Sequence, residues 1–305
     1  GVRASVHGDV LHSRPATINY NRYGDDNDVY VFYGANDGIF RAVKGGFASS
    51  EAGVSAGDER WGFIPVEFLT KLSRLRTQTP TISNANQKDY FWDGSTGVYT
   101  KDGNNDGKYS DTSVDKVYLY PAIRRGGNFL YALDVTTPHD PKLLWRKGPS
   151  DTGWGELGQM WSEPKVSRSP VSLGNSSNPD NVVLIFGAGY DDAVEDINPC
   201  LLDRFDPAYV RQVATAGGQI SYTAAGSCTV TGASGGPTTV NRTKGRGIMV
   251  VDAFNGNVVW QAGASPSGAT RNLTVPGMTC AIPSDVTVYD RNRDGIAERG
   301  YVGDT

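Results

Sequence analysis

The stretch Asp290-Arg-Asn292-Arg-Asp294-Gly295-Ile296-Ala-Glu298 sets oxygen-bearing side chains at its first, third, fifth and ninth positions, with glycine at the sixth. One loop can wrap a calcium ion with this spacing, because calcium is a hard cation that takes roughly six to eight oxygens. Asp290, Asn292, Asp294 and Glu298 would supply side-chain oxygens. Ile296 would supply its carbonyl, once Gly295 lets the backbone bend sharply. The bland alternative is an Asx-rich hairpin turn, which uses the same residues for local hydrogen bonds; the spacing favours the metal. Position twelve, where an EF-hand carries a bidentate Glu, is Tyr301. The flanking runs 285–289 and 299–303 read as strands, so the loop is expected at the tip of a β-hairpin.

A second Asx cluster, Asp102-Gly-Asn104-Asn-Asp106-Gly107, repeats positions one, three, five and six, then has Ser110 at nine and Asp111 one residue late. It is expected in a loop insertion, where calcium and a solvated turn read equally well. The acidic run 25–28 has no such spacing and reads as a solvated turn. Little else resembles chemistry. His7, His12 and His139 are the histidines, and they form no helical metal pair. No nucleophile elbow, Walker loop or dinucleotide fingerprint is present. Gly187-Ala-Gly189 follows a strand but runs into Tyr190-Asp-Asp, which places carboxylates where a phosphate needs amides.

The elements that must position these residues read as short strands. Three runs share a form: Val29–Val43, Val182–Asp192 and Arg299–Thr305 are each apolar, end in Gly and carry Asp close behind. Ahead of each lies a marker (Ser13-Arg-Pro15, Ser162-Glu-Pro164, Ile282-Pro283-Ser284) followed by a further strand at 16–20, 165–168 or 285–289. A second repeat pairs Asn128–Asp134 through Trp145 with Gly247–Asp252 through Trp260. Strand, Asp-opened turn, Gly, strand and Trp in that order are typical of four-stranded propeller blades. The six Trp residues read as packing between units, with a sugar or quinone site the weaker alternative. High Gly content with many Tyr and Val favours an all-β fold. One surface helix is expected from Pro65 to Leu75, with Val66, Leu69, Leu72 and Leu75 on one face.

The net charge of -4 gives no electrostatic reason to expect nucleic acid as a partner. No apolar run approaches the length of a membrane span. Of the three cysteines, Cys200 and Cys228 flank a Gly/Ser/Thr-rich insertion that a disulfide would staple, which implies an oxidising compartment. Cys280 is then left over; the alternative is three buried thiols.

Several segments in order, among them Gly8-Asp9-Val-Leu-His12-Ser13-Arg-Pro15, Tyr30-Val-Phe-Tyr-Gly34-Ala-Asn36-Asp37-Gly38, Glu59-Arg-Trp61-Gly-Phe63-Ile64-Pro65, Trp161-Ser-Glu-Pro164 and the Asp290–Glu298 loop, carry a resemblance. The chain resembles the propeller domain of the PilC/PilY-type family, the tip-associated adhesins and biogenesis proteins of bacterial type IV pili. The resemblance implies a modified β-propeller over 1–305 as a single domain, incomplete in its C-terminal blades, with insertions at about 45–59, 83–115 and 190–244. It implies Ca2+ held by Asp290, Asn292, Asp294, the carbonyl of Ile296 and Glu298, with occupancy linked to pilus extension and retraction. Glu298 departs from the pattern, since the family commonly has Asp there. The implied partners are pilins or minor pilins at the pilus tip and host-cell or surface receptors; the implied location is the bacterial cell surface, associated with the outer membrane. A non-enzymatic role follows. The alternatives are a quinoprotein dehydrogenase-like propeller, disfavoured because the calcium motif is one continuous peripheral loop, and an extracellular carbohydrate-binding propeller.

Overall fold

The computed structural model describes residues 7–82, 88–191, 219–222, 228–231, 238–240 and 244–303. The first sheet joins β1 (Ala16–Asn19), β2 (Val29–Gly34), β3 (Phe40–Lys44) and β4 (Glu59–Phe63) in sequence order, all antiparallel. A 3-10 turn (Val66–Phe68) and helix α1 (Leu69–Thr77) follow. The second sheet repeats the plan with β5 (Thr96–Lys101), β6 (Lys116–Pro121), β7 (Leu130–Asp134) and β8 (Lys142–Lys147). The third begins with β9 (Lys165–Arg168) and β10 (Val182–Gly187). Three strands at 219–222, 228–231 and 238–240 (β11–β13) pair with one another. The third sheet then resumes with β14 (Gly247–Asp252), β15 (Val258–Gly263) and a parallel fifth strand, β16 (Arg271–Thr274). A hairpin of β17 (Thr287–Tyr289) and β18 (Arg299–Tyr301) completes the described elements.

The strand alternation explains how the sheets stack. Successive side chains of a strand point to opposite faces. In β6 and β7, Val117, Leu119, Tyr131 and Leu133 join a core with Tyr30, Phe32, Phe40 and Ala42 of the first sheet. Their neighbours Tyr118, Tyr120, Leu130 and Ala132 join a second core with Leu184, Phe186, Met249 and Val251 of the third. The middle sheet is buried on both faces, which is why its strands read as near-continuous apolar runs.

Three sheets share one register. The cross-strand row Phe32, Ala42, Trp61 recurs as Ala132, Trp145 and as Ile185, Val250, Trp260. A bulge follows the residue opposite each Trp, at Ala42/Val43, Ala132/Leu133 and Val250/Val251. The repeats expected from the sequence are therefore structural repeats, and the described residues are all-β with one short α-helix.

Several expectations need correction. The segment 83–115 is not one insertion, because β5 lies inside it and pairs along its whole length with β6. Gly97 hides this strand from a pattern search; it is needed because a Cβ there would sit 2.3 Å from the Pro164 carbonyl oxygen. The Asp102 cluster is consequently a hairpin connection, not part of a free loop. The insertion 190–244 lies largely outside the described residues, but it contains β11–β13. Cys200 of the expected Cys200–Cys228 staple also falls outside them, while Cys280 is a free, half-buried thiol. In the helix, Val66 and Leu69 are exposed and the buried anchor is Phe68, which packs edge-on against Phe91 and Trp92. Among the described residues no helix is long and apolar enough to cross a membrane.

Candidate metal centre

The Asp290–Glu298 loop connects β17 to β18, as its strand-like flanks suggest. Its side chains brace its own backbone. Asp290 accepts from the amides of Arg293 at 2.6 Å and Asp294 at 3.2 Å through Oδ1, and from Gly295 at 2.7 Å through Oδ2. Asn292 Oδ1 accepts from the Asp294 amide at 3.1 Å, and Asp294 Oδ1 from the Ile296 amide at 2.8 Å. Glu298 Oε2 reaches back to the Arg291 amide at 2.6 Å, and the Glu298 amide donates to Tyr289 O at 3.0 Å, which closes the loop. Arg293 and Gly295 have φ of 63° and 84°. Glycine meets that requirement at the sixth position without strain.

The Asp102 loop between β5 and β6 has the same wiring. Asp106 N donates to Asp102 Oδ1 and to Asn104 Oδ1, both at 3.2 Å, and Gly107 N donates to Asp102 Oδ2 at 2.7 Å. Lys108 N donates to Asp106 Oδ1 at 2.9 Å, and the positive φ values fall at Asn105 and Gly107. What differs is the closure. No residue takes the part of Glu298; instead buried Asp115 accepts the amides of Gly103, Ser110 and Asp111, and hydrogen bonds from Ser113 hold the Asp111 carboxyl below its ordinary range.

Both loops follow the first strand of a sheet, and their neighbours bond across to the adjacent sheet. Asn21, in the β1–β2 connection, donates to Gly107 O at 2.8 Å. Lys101 Nζ donates to Asp180, in the β9–β10 connection, at 2.6 Å. The amide of Arg168 donates to Gly295 O at 2.9 Å. The Asx loops thus share one rim of the stacked sheets. The acidic run at 25–28 is not the solvated turn its composition suggests. Asp28 is fully buried, gripped by Arg22 Nε at 2.8 Å and by the equally buried Lys44 at 3.1 Å.

As a donor set, the Asp290 loop offers carboxylate, amide and main-chain oxygens only, which suits a hard cation, and the bonded side-chain oxygens other than Asp290 Oδ1, which accepts two amides, each keep a second lone pair. Asp290, Asn292, Asp294 and Glu298 all belong to one closed nine-residue turn. Among the described residues no three His, Cys, Asp or Glu side chains are gathered closely enough to hold a metal ion. The loop in this form is tied to its own amides. A cavity of about 730 Å³ beside α1 is lined in part by two ion pairs, Asp9 with Lys88 and Arg74 with Asp89.

One cluster escaped the sequence. Trp161 and Tyr190 stack with ring centroids 4.7 Å apart, and the guanidinium carbons of Arg124 and Arg125 lie 4.3 and 5.1 Å from the Trp161 ring centre. These residues come from two sheets, so no local pattern could join them.

The chain is 29% identical over 207 residues to the type IV pilus biogenesis factor PilY1 of Pseudomonas aeruginosa strain UCBPP-PA14, which covers 59% of this chain and 16% of that protein. It is 30% identical over 186 residues to PilY1 of strain PAO1 and 30% over 214 residues to the PilY1 homolog of Xylella fastidiosa. These matches cover 54% and 60% of this chain and 14% and 15% of the relatives, so the chain spans only a small part of their length. A crystal structure of the Pseudomonas aeruginosa PilY1 C-terminal domain superposes on 90% of this chain and 37% of its own at a TM-score of 0.45 and 20% identity, too loosely to fix how the sheets are arranged. No family model matches the chain.

Proposed function

With PilY1 type IV pilus biogenesis factors as its homologues, we propose that this chain is a non-enzymatic, calcium-binding β-propeller portion of a type IV pilus tip-associated protein. It supports pilus biogenesis, tuning the balance of extension and retraction, and it contributes to surface adhesion. Its partners are pilins or minor pilins and a receptor on the host cell or surface, at the bacterial exterior. The stacking of three sheets in one register supports the propeller.

The observation that supports the calcium assignment is the closed hairpin tip, one nine-residue turn that carries Asp290, Asn292, Asp294 and Glu298 and is braced by their bonds to its own backbone amides. In calcium these four side chains and the Ile296 carbonyl would hold the ion, which would relieve the repulsion between neighbouring carboxylates. The test is complementation. In a piliated bacterium lacking its own copy of the full-length protein, the wild type is expected to restore surface pili. Asp294→Ala is expected to restore the protein at the surface but not calcium-dependent control of pilus number. Equal control by the variant would refute the assignment.

A further inference from the structure

We infer that Arg124 and Arg125, stacked on Trp161, form a binding site for an oxyanion, a carboxylate or phosphate group. The pair sits between β6 and β7, level with Asp93 and Trp161, which precede β5 and β9, the first strands of their sheets; the Asp102 loop lies at the other end of β5. Consecutive residues normally point apart, yet both guanidinium groups reach one indole. Arg124 permits this by adopting φ of 47°, an uncommon conformation for a residue with a Cβ. Such strain gathers at ligand clamps, where the surroundings over-determine it. Here they do: a Cβ at Gly126 would lie 1.8 Å from Phe91 O, and Lys71 Nζ donates to Gly126 O at 2.8 Å, so the turn is locked.

The charges are not balanced. Each guanidinium carries five N–H donors, and among the described residues neither side chain makes a hydrogen bond. Among the described residues the only carboxylate within ion-pair reach is Asp93, at 4.0 Å from Arg124. Fully buried Asp93 is already bonded to His12 Nδ1 at 2.9 Å and to Asn36 Nδ2 at 3.5 Å. Glu163, in the Trp161 segment, is held by Lys165 at 2.8 Å and Arg14 at 3.5 Å. Among the described residues Arg125 has no ion-pair partner, and its second ring contact is Tyr90 at 5.5 Å. Two like charges, one of them on a side chain only 19% exposed, repel unless something negative joins them. Guanidinium forks match carboxylate and phosphate geometry. The aromatic rings hold the forks in place, so little entropy is lost on binding.

The test is thermal unfolding of the chain in EDTA, with sodium phosphate or sodium acetate replacing sodium chloride at constant ionic strength. Phosphate or acetate is expected to raise the Tm by about 2–4 °C at ten times its Kd, and whichever acts at lower concentration identifies the group. Arg125→Gln is expected to abolish that rise and leave the Tm in chloride unchanged or higher, since one repelling charge is gone. No rise in the wild type, or an equal rise in Arg125→Gln, overturns the site. So does a Tm that drops several degrees in chloride alone, which would mark Arg125 as a structural prop on the indole.

Discussion

The indole Nε1 of Trp145 donates to the main-chain oxygen of Ala253 at 3.0 Å, which ties the last strand of the second sheet to the Asp252 turn of the third. The same bond recurs one sheet earlier, where Trp61 donates to Pro138 O, beyond the Asp134 turn, at 2.8 Å. Each Trp thus stands in the same row of its sheet and satisfies a carbonyl in the next. Trp260 occupies that row in the third sheet but is half-buried, in a groove of about 300 Å³ with Ile185 and Val250.

Trp145→Phe should keep most of the packing and leave the Ala253 carbonyl without its donor. The expected loss is about 1–3 kcal/mol, read from urea unfolding. Trp260→Phe should cost less than about 1 kcal/mol, as befits a partly exposed position. Equal costs would show that the inter-sheet bond is not what Trp145 contributes.

Calcium should raise the Tm and bind in calorimetry. At a hundredfold excess over Kd the stabilisation is about 2.7 kcal/mol. Asp294→Ala should remove binding at the Asp290 loop, and Asp106→Ala should retain it. A wild type without a calcium-dependent shift would return the loop to a plain Asx turn.

Gly107 and Gly295 have equivalent positive φ, so alanine at either should cost about 1–2 kcal/mol of left-handed strain. Their surroundings differ. A Cβ at Gly107 meets nothing within 4 Å, whereas one at Gly295 would lie 2.9 Å from Arg168 Nε. Chemical denaturation should find Gly295→Ala the more damaging, and the difference should shrink when Arg168 is also replaced by Ala.

Burial pushes the Asp28 carboxyl up, but hydrogen bonds from Arg22 and Lys44 outweigh it and leave it below the ordinary range. Asp37 and Glu51 are lowered in the same way, by Arg41 for the first and by Tyr30 and Arg22 for the second. A folded pKa below the unfolded one makes the stabilisation complete above about pH 4 and lost as the pH falls through the folded values. Asp28→Asn strands the charge of Lys44, and the expected cost at pH 7 is about 3–5 kcal/mol. Unfolding curves at pH 7, 5 and 3.5 should also show a shallower acid dependence for the variant.

Strands announced by a local marker were legible in the sequence: β1, β9 and β17 lie where Ser13-Arg-Pro15, Ser162-Glu-Pro164 and Ile282-Pro283-Ser284 place them. The Asp–Gly–Trp hairpins β7–β8 and β14–β15 were legible for the same reason. The Asp290 loop was found because its residues are contiguous. What stayed hidden depends on distant partners. Asp28 looks solvated until Lys44 arrives from β3, and Phe68, which shares a face with Leu72 and Leu75, is passed over by the three-residue count from Val66 to Leu75. Arg124 meets Trp161 only after β7, β8 and the connection to β9 have run their course.

The Gly295 carbonyl accepts from the Arg168 amide at 2.9 Å and from Ser167 Oγ at 3.4 Å, so the tip of the β17–β18 hairpin is riveted to the end of β9. Tension applied to that hairpin is handed directly to the edge strand of the third sheet instead of being absorbed by a slack loop. Stiffness at this one joint therefore governs how far a mechanical load on the last described strands travels into the sheets behind it.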